Sequence, residues 1–149
     1  MDLFISFMEM GKNKYKELIK ERKEKYNELI KKMKEIANKY NEKVLALTNN
    51  KISILFTLNN IYEKSGKKDV NEIGSMCFNR QISGVRIVKS SNGQNKNIAG
   101  YNFINYGASC DNYKYLPYMT FSCAIGITNE EIDGFVSKIP KIFDSFIKH

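Results

Sequence analysis

From Lys12 to about Glu42, apolar residues recur in steps of three and four: Tyr15, Leu18, Ile19, Tyr26, Leu29, Ile30, Met33, Ile36, Ala37 and Tyr40. That spacing paints one stripe down an α-helix. The polar faces carry acid-then-base pairs four residues apart, Glu21–Lys25, Glu28–Lys32 and Glu35–Lys39, the favourable orientation. A helix of thirty residues extends about 45 Å. Gly11 separates it from a short preceding helix over Leu3 to Met10. The period then changes. Val44 to Leu47 and Ile52 to Leu58 predict two short strands joined through Asn49-Asn50, and Glu63 to Lys68 is a polar loop. Asp69 opens a helix, with Glu72 completing an Asp-type capping box, and this helix ends near Phe78. Ile82 to Val88 predicts a strand bent at Gly84, and Lys89 to Asn97 a polar loop. Gly100 to Phe103 and Tyr118 to Ile127 predict further strands. Asn129-Glu130-Glu131 starts a last helix with acids in its positive first turn, and Pro140 is expected to kink or break it. This order predicts an α+β fold, an antiparallel sheet with helices packed on one face, in a single domain spanning residues 1–149.

Composition narrows the class. The 149 residues suffice for one domain, and 42% hydrophobic residues support a core. No stretch approaches the roughly 20 apolar residues of a membrane span, so no membrane partner is expected. The abrupt apolar start, Leu3 to Met8, lacks a basic flank and a cleavage site, which argues against a secretory signal. It suggests a segment from within a longer chain. Cys77, Cys110 and Cys123 are odd in number and far apart, which predicts reduced, partly buried thiols and a cytoplasmic location. A single histidine, His149, leaves no basis for a zinc site, so no metal is expected. The net charge is +8, and Lys12 to Lys43 holds twelve Lys/Arg against six Glu, +6 of that total. Such an excess fits an anionic partner such as RNA, or a solvated helix face.

Few residues offer chemistry. A Ser/His or Cys/His nucleophile has no histidine to use except the terminal one. The carboxylate pairs Asp69 with Glu72 and Glu130 with Glu131 fall at helix starts, where capping explains them. P-loop and GxGxxG phosphate loops are absent. Lys89 lies in a polar stretch that would not depress its pKa. The segment EIGSMCFNRQISGVRIV, Glu72 to Val88, is different. Arg80 follows a short apolar helix and precedes a Gly turn. It either covers the helix's last carbonyls or presents a planar guanidinium to a base edge or phosphate. Arg86 alternates with Val85 and Ile87, so it projects from the opposite sheet face, by default into a surface salt bridge. The tyrosines of Tyr113 to Tyr118 could stack bases or pack a core or interface.

Taken together, the long basic helix, RQISGVRIV, GYNF, DNY, SCAIGIT and EIDGFV resemble the O-phosphoseryl-tRNA(Sec):selenocysteinyl-tRNA synthase family across essentially the whole chain, matching its C-terminal domain. The resemblance implies fold-type-I architecture in a pyridoxal 5'-phosphate enzyme that converts O-phosphoseryl-tRNA(Sec) and selenophosphate into selenocysteinyl-tRNA(Sec). It implies a tetramer bridged by tRNA(Sec), with a catalytic domain of the same chain carrying the Schiff-base lysine upstream. It therefore implies no catalytic or cofactor-binding residue here. The family's arginine before QxSG reads the discriminator base, which maps onto Arg80. A lysine near the end of its last helix approaches the acceptor arm, which maps onto Lys148. Asn79 departs from the usual threonine before that arginine. Outside the family, the alternatives are a stand-alone basic RNA-binding module or a dimerisation domain.

Overall fold

The computed structural model describes residues 2–46, 49–89, 95–104, 106 and 116–148. Helix α1 spans Asp2–Tyr40 and is broken at Gly11, whose φ of 69° and ψ of 166° no helix contains. Two strands follow, β1 (Val44–Ala46) and β2 (Ser53–Thr57), then helices α2 (Asn59–Lys64) and α3 (Asn71–Asn79). After β3 (Arg86–Val88) come a hairpin of β4 (Lys96–Ile98) and β5 (Tyr101–Phe103), strand β6 (Tyr118–Ser122) and helix α4 (Asn129–Lys148). The architecture is α+β. The main sheet has the order β1-β2-β6-β3 and every pairing in it is antiparallel.

The alternation of side chains decides which face carries helices. Ile54 lies opposite Phe121 and Phe56 opposite Met119, and all four are buried. They pack with Met33 and Ile36 of α1, Ile73 of α3, and Ile139, Ile142 and Phe143 of α4 in one core. On the other face Leu45 and Arg86 are exposed. Burying residues such as these contributes about 1.5–3 kcal/mol per side chain. The Phe143 ring stands 5.2 Å from Tyr40 and 5.5 Å from Phe56, so one residue joins both long helices to the sheet. A Cβ added at Gly74 would lie 3.3 Å from Ile87, which lets α3 approach β3 closely. None of the described helices is long and apolar enough to cross a membrane.

Four expectations need correction. Pro140 neither ends nor breaks α4, which runs through it. Proline removes one helical hydrogen bond, but Ile139, Ile142, Phe143 and Phe146 are buried around it, and the Tyr40 hydroxyl donates to the Pro140 carbonyl at 3.0 Å. Glu63 and Lys64 end a helix, Asn59–Lys64, rather than opening the expected polar loop. Its cap comes from far away: Glu42, itself buried, accepts from the Ile61 N–H at 2.9 Å. The box at Asp69 does not form. The Asp69 carboxylate accepts from the Asn71 N–H at 3.0 Å, chiefly for which reason its pKa is lowered, and Glu72 is exposed with no bond back. Lys96–Ile98 pairs as a strand instead of belonging to a loop. Cys77 and Cys123 are buried free thiols, as expected, whereas Cys110 and Tyr113 to Tyr115 lie outside the described residues.

Candidate nucleic-acid interface

Helix α3 ends in a Schellman motif. The Gln81 N–H donates to the Phe78 carbonyl at 2.9 Å, and the Ile82 N–H donates to the Cys77 carbonyl at 3.0 Å. Those bonds place Gln81 in the left-handed region, at φ 59°, where glycine is usual. Ile82 and Cys77 are both buried beneath the turn. Burial also pushes the Cys77 thiol up to about 11, with the neighbouring Arg80 charge pulling the other way.

Arg80 is the C-cap residue of this end. Its backbone N–H donates to the Cys77 carbonyl at 3.0 Å, and its own carbonyl accepts from the Lys138 ammonium of α4 at 2.9 Å. Its Nη1 donates to the Met76 carbonyl at 3.3 Å. The backbone is therefore pinned from two helices, and the guanidinium leans on the last turn. A guanidinium has five N–H donors. Among the described residues no other side-chain bond of Arg80 occurs, and the residue is half-buried. The capping geometry and a capacity for further donation thus coexist in one group.

Beside Arg80, the turn Gln81 to Gly84 forms one lip of an open cleft of about 670 Å³. The other walls are Ser122, the loop Ala124 to Ile127, and Glu130 to Lys138 of α4. Its floor is apolar, including Leu29, Phe121 and Phe135. Glu131 is engaged: it accepts from the Thr128 N–H at 2.7 Å while its own N–H donates to the Thr128 hydroxyl at 3.2 Å, a capping box. The capping reading of that carboxylate holds. Nothing in the sequence pointed to the cleft, because three separate segments build it.

Lys148 is exposed at the last residue of α4. It stands ten residues beyond Lys138, about 15 Å along the helix, so Arg80 and Lys148 border the same α3–α4 layer without touching. The Lys68 ammonium donates to the Phe146 carbonyl at 3.2 Å near that end. Arg86 is exposed and faces Thr120 across the β3–β6 pairing. The expected surface salt bridge is not there: among the described residues Arg86 makes no ion pair. Lys89 pairs with Asp69 at 3.4 Å. No described lysine is buried, and no group of three or more His, Cys, Asp or Glu that could hold a metal occurs among the described residues.

Comparison with known proteins gives the family. Residues 1–144 match the family described as O-phosphoseryl-tRNA(Sec) selenium transferase, SepSecS. The chain belongs to this family. It is 38% identical to the O-phosphoseryl-tRNA(Sec) selenium transferase of Dictyostelium discoideum, over 97% of this chain and 32% of that protein. It is 26% identical to the enzyme of the same name from Caenorhabditis briggsae, over 99% of this chain and 29% of the relative. The SepSecS family chain described here therefore spans about a third of the length of the curated relatives it matches. A crystal structure of an archaeal O-phosphoseryl-tRNA(Sec) selenium transferase superimposes with a TM-score of 0.72 at 23% identity, covering 93% of this chain and 27% of the other, a likeness of fold.

Proposed function

We propose that this chain is the C-terminal small domain of a cytoplasmic, tetrameric SepSecS enzyme of fold type I, and that it recognises the acceptor end of tRNA(Sec). In that reading the complete enzyme converts O-phosphoseryl-tRNA(Sec) with selenophosphate into selenocysteinyl-tRNA(Sec). Arg80 reads the unpaired discriminator base, and Lys148 holds an acceptor-arm phosphate. The carrying observation is the state of Arg80: backbone pinned by Cys77 and Lys138, one guanidinium N–H on Met76, the group still half-exposed. A pinned planar fork can pair bidentately with guanine O6 and N7, and unpaired RNA ends are where base edges are accessible.

Pyridoxal phosphate supplies an electron sink for eliminating phosphate and adding selenium. The described residues do not fit it. A Schiff-base lysine needs a desolvated amine, and the half-buried amines of Lys25, Lys68 and Lys138 are each given to a protein carbonyl. The cofactor therefore belongs to the remaining two thirds of the enzyme, and no step on it is assigned to this chain.

In the complete enzyme, Arg80→Ala should lower kcat/KM by the equivalent of about 1–3 kcal/mol with the native tRNA. It should lose nearly nothing further when the discriminator base is changed. Lys148→Ala should weaken all tRNAs alike. If parent and Arg80→Ala lose equally on the base change, Arg80 does not read it.

A further inference from the structure

Nine of the eleven cations of α1 form two sets, apart from Lys14, which is exposed, and Arg22, whose Nη1 donates to the Lys51 carbonyl at 2.6 Å. Lys25 donates to the Ile127 carbonyl at 2.5 Å, Lys32 pairs with Asp133 at 2.6 Å, and Lys39 pairs with Asp144 at 3.7 Å. At about 100° per residue these three share one edge of the helix, the edge that meets α4. Lys12, Lys16, Lys20, Lys23, Lys31 and Lys34 fall within a different arc of about 100°. All six are exposed, and none has an ion pair or hydrogen bond among the described residues. Glu17, Glu21, Glu24, Glu28 and Glu35 gather in the next arc of about 60°, between the two sets. The acids therefore border the free lysines on one side only, with Lys20 and Lys31 each having glutamates three or four residues away.

That segregation has a cost. Lys12–Lys16, Lys16–Lys20, Lys20–Lys23 and Lys31–Lys34 are like-charge neighbours three or four apart, and such pairs destabilise a helix. Exchanging lysines with the neighbouring glutamates would remove the repulsion at no loss of solubility. The row runs from Lys12 to Lys34, about 33 Å at 1.5 Å per residue, long enough to follow several successive phosphates of a duplex. Between the lysines the arc offers Asn13, Asn27 and Asn38, and its only apolar member, Ile30, is packed against the core. A helix that lies in a membrane needs an apolar face beside its basic one, and this arc has none. A nucleic-acid backbone needs charge and hydrogen-bond donors alone.

We infer that the lysine row of α1 is a second nucleic-acid surface, one that grips the phosphate backbone of an RNA duplex without reading sequence. Its centre lies about 150° round the helix from the edge that meets α4. A duplex lying on it is therefore a different stretch of RNA, or a different molecule, from the single-stranded end at Arg80. The inference takes from the proposed function only that the polyanion is RNA.

The test uses an RNA dumbbell closed at both ends, which offers backbone but no unpaired terminus, with affinity followed between 50 and 200 mM salt. The parent chain should bind with a steep log–log slope. Lys16→Gln with Lys20→Gln and Lys23→Gln should weaken binding by about tenfold or more at low salt and flatten the slope by about one per lysine. The matching Lys→Arg triple should retain binding, which separates lost charge from lost helix. Glu17→Gln with Glu21→Gln and Glu24→Gln should bind at least as tightly as the parent. Arg80→Ala should bind the dumbbell unchanged, so failure of the Arg80 reading and failure of this one are separate results. An unchanged slope in the Lys→Gln triple, no dumbbell binding by the parent, or tighter binding to phosphatidylserine vesicles than to RNA would each overturn the inference.

Discussion

Helices α2 and α3 finish with the same two hydrogen bonds and different residues. At the end of α2, the Gly66 N–H donates to the Glu63 carbonyl at 3.1 Å and the Lys67 N–H to the Tyr62 carbonyl at 3.0 Å. At the end of α3, Gln81 and Ile82 make the equivalent bonds to Phe78 and Cys77. The pivot φ is 75° at Gly66 and 59° at Gln81. Glycine occupies this position without steric cost, whereas a residue with a Cβ is disfavoured there by roughly 1–2 kcal/mol. The backbone of α3 thus has room for a glycine that the sequence does not use. The α2 end is a structural stop. The α3 end holds Arg80, and its pivot carries an exposed amide at the lip of the cleft. The α2 end sets glycine at the pivot and a left-handed residue after it, Lys67 at φ 67°, whereas the α3 end sets its one left-handed residue, Gln81, at the pivot, where the side chain lines the cleft.

The largest effect should come from the α2 turn. Gly66→Ala puts a Cβ at a positive φ, and nothing lies within 4 Å to clash, so the loss is purely conformational. We expect about 1–2 kcal/mol of lost stability in urea unfolding. A neutral result would remove the physical basis for contrasting the two ends. Gln81→Gly should go the other way, stabilising the fold by about 1 kcal/mol or less, because relieved strain is offset by the added freedom of glycine in the unfolded chain. A destabilised Gln81→Gly would mean that the glutamine side chain supports the turn itself.

The third end of this kind, at α1, gives an effect confined to alkaline solution. There the C-cap residue Tyr40 shares its one hydroxyl proton between Asp144, at 2.6 Å, and the Pro140 carbonyl, at 3.0 Å. Burial, then the hydrogen bond to Asp144, raises the phenol's pKa above its ordinary value of 10.0. The folded state thus holds this proton more tightly than the unfolded state. The associated stability is complete below pH 10 and falls as pH rises beyond it. A stability–pH profile should show this alkaline limb in the parent and a shallower one in Tyr40→Phe. Equal limbs would assign the effect elsewhere.

Much of the fold was legible because its signals are local. The three-and-four spacing gave α1, Gly11 gave its break, and short apolar runs after the change of period gave β1, β2 and the start of β6. What was missed depended on distant partners. The cap of α2 is Glu42, nineteen residues from Ile61, and its N-cap residue Leu58 makes no side-chain cap. Strand β4 is polar and exposed, and only its pairing with β5 makes it a strand. Pro140 breaks a local rule that the surrounding core overrides. The site was legible in part. Pattern alone put Arg80 past a helix end with two uses open, and the geometry joins capping to a half-exposed guanidinium. The cleft beside it was hidden because no single segment forms it.

The most direct measurement is the affinity of this chain for an acceptor minihelix carrying guanine or adenine as its unpaired base, taken for the parent and for Arg80→Ala. The account predicts that the parent prefers guanine by about 1–3 kcal/mol and that the preference vanishes in Arg80→Ala, so the two changes couple. A preference that survives the loss of the guanidinium, or a parent indifferent to the base, would contradict it.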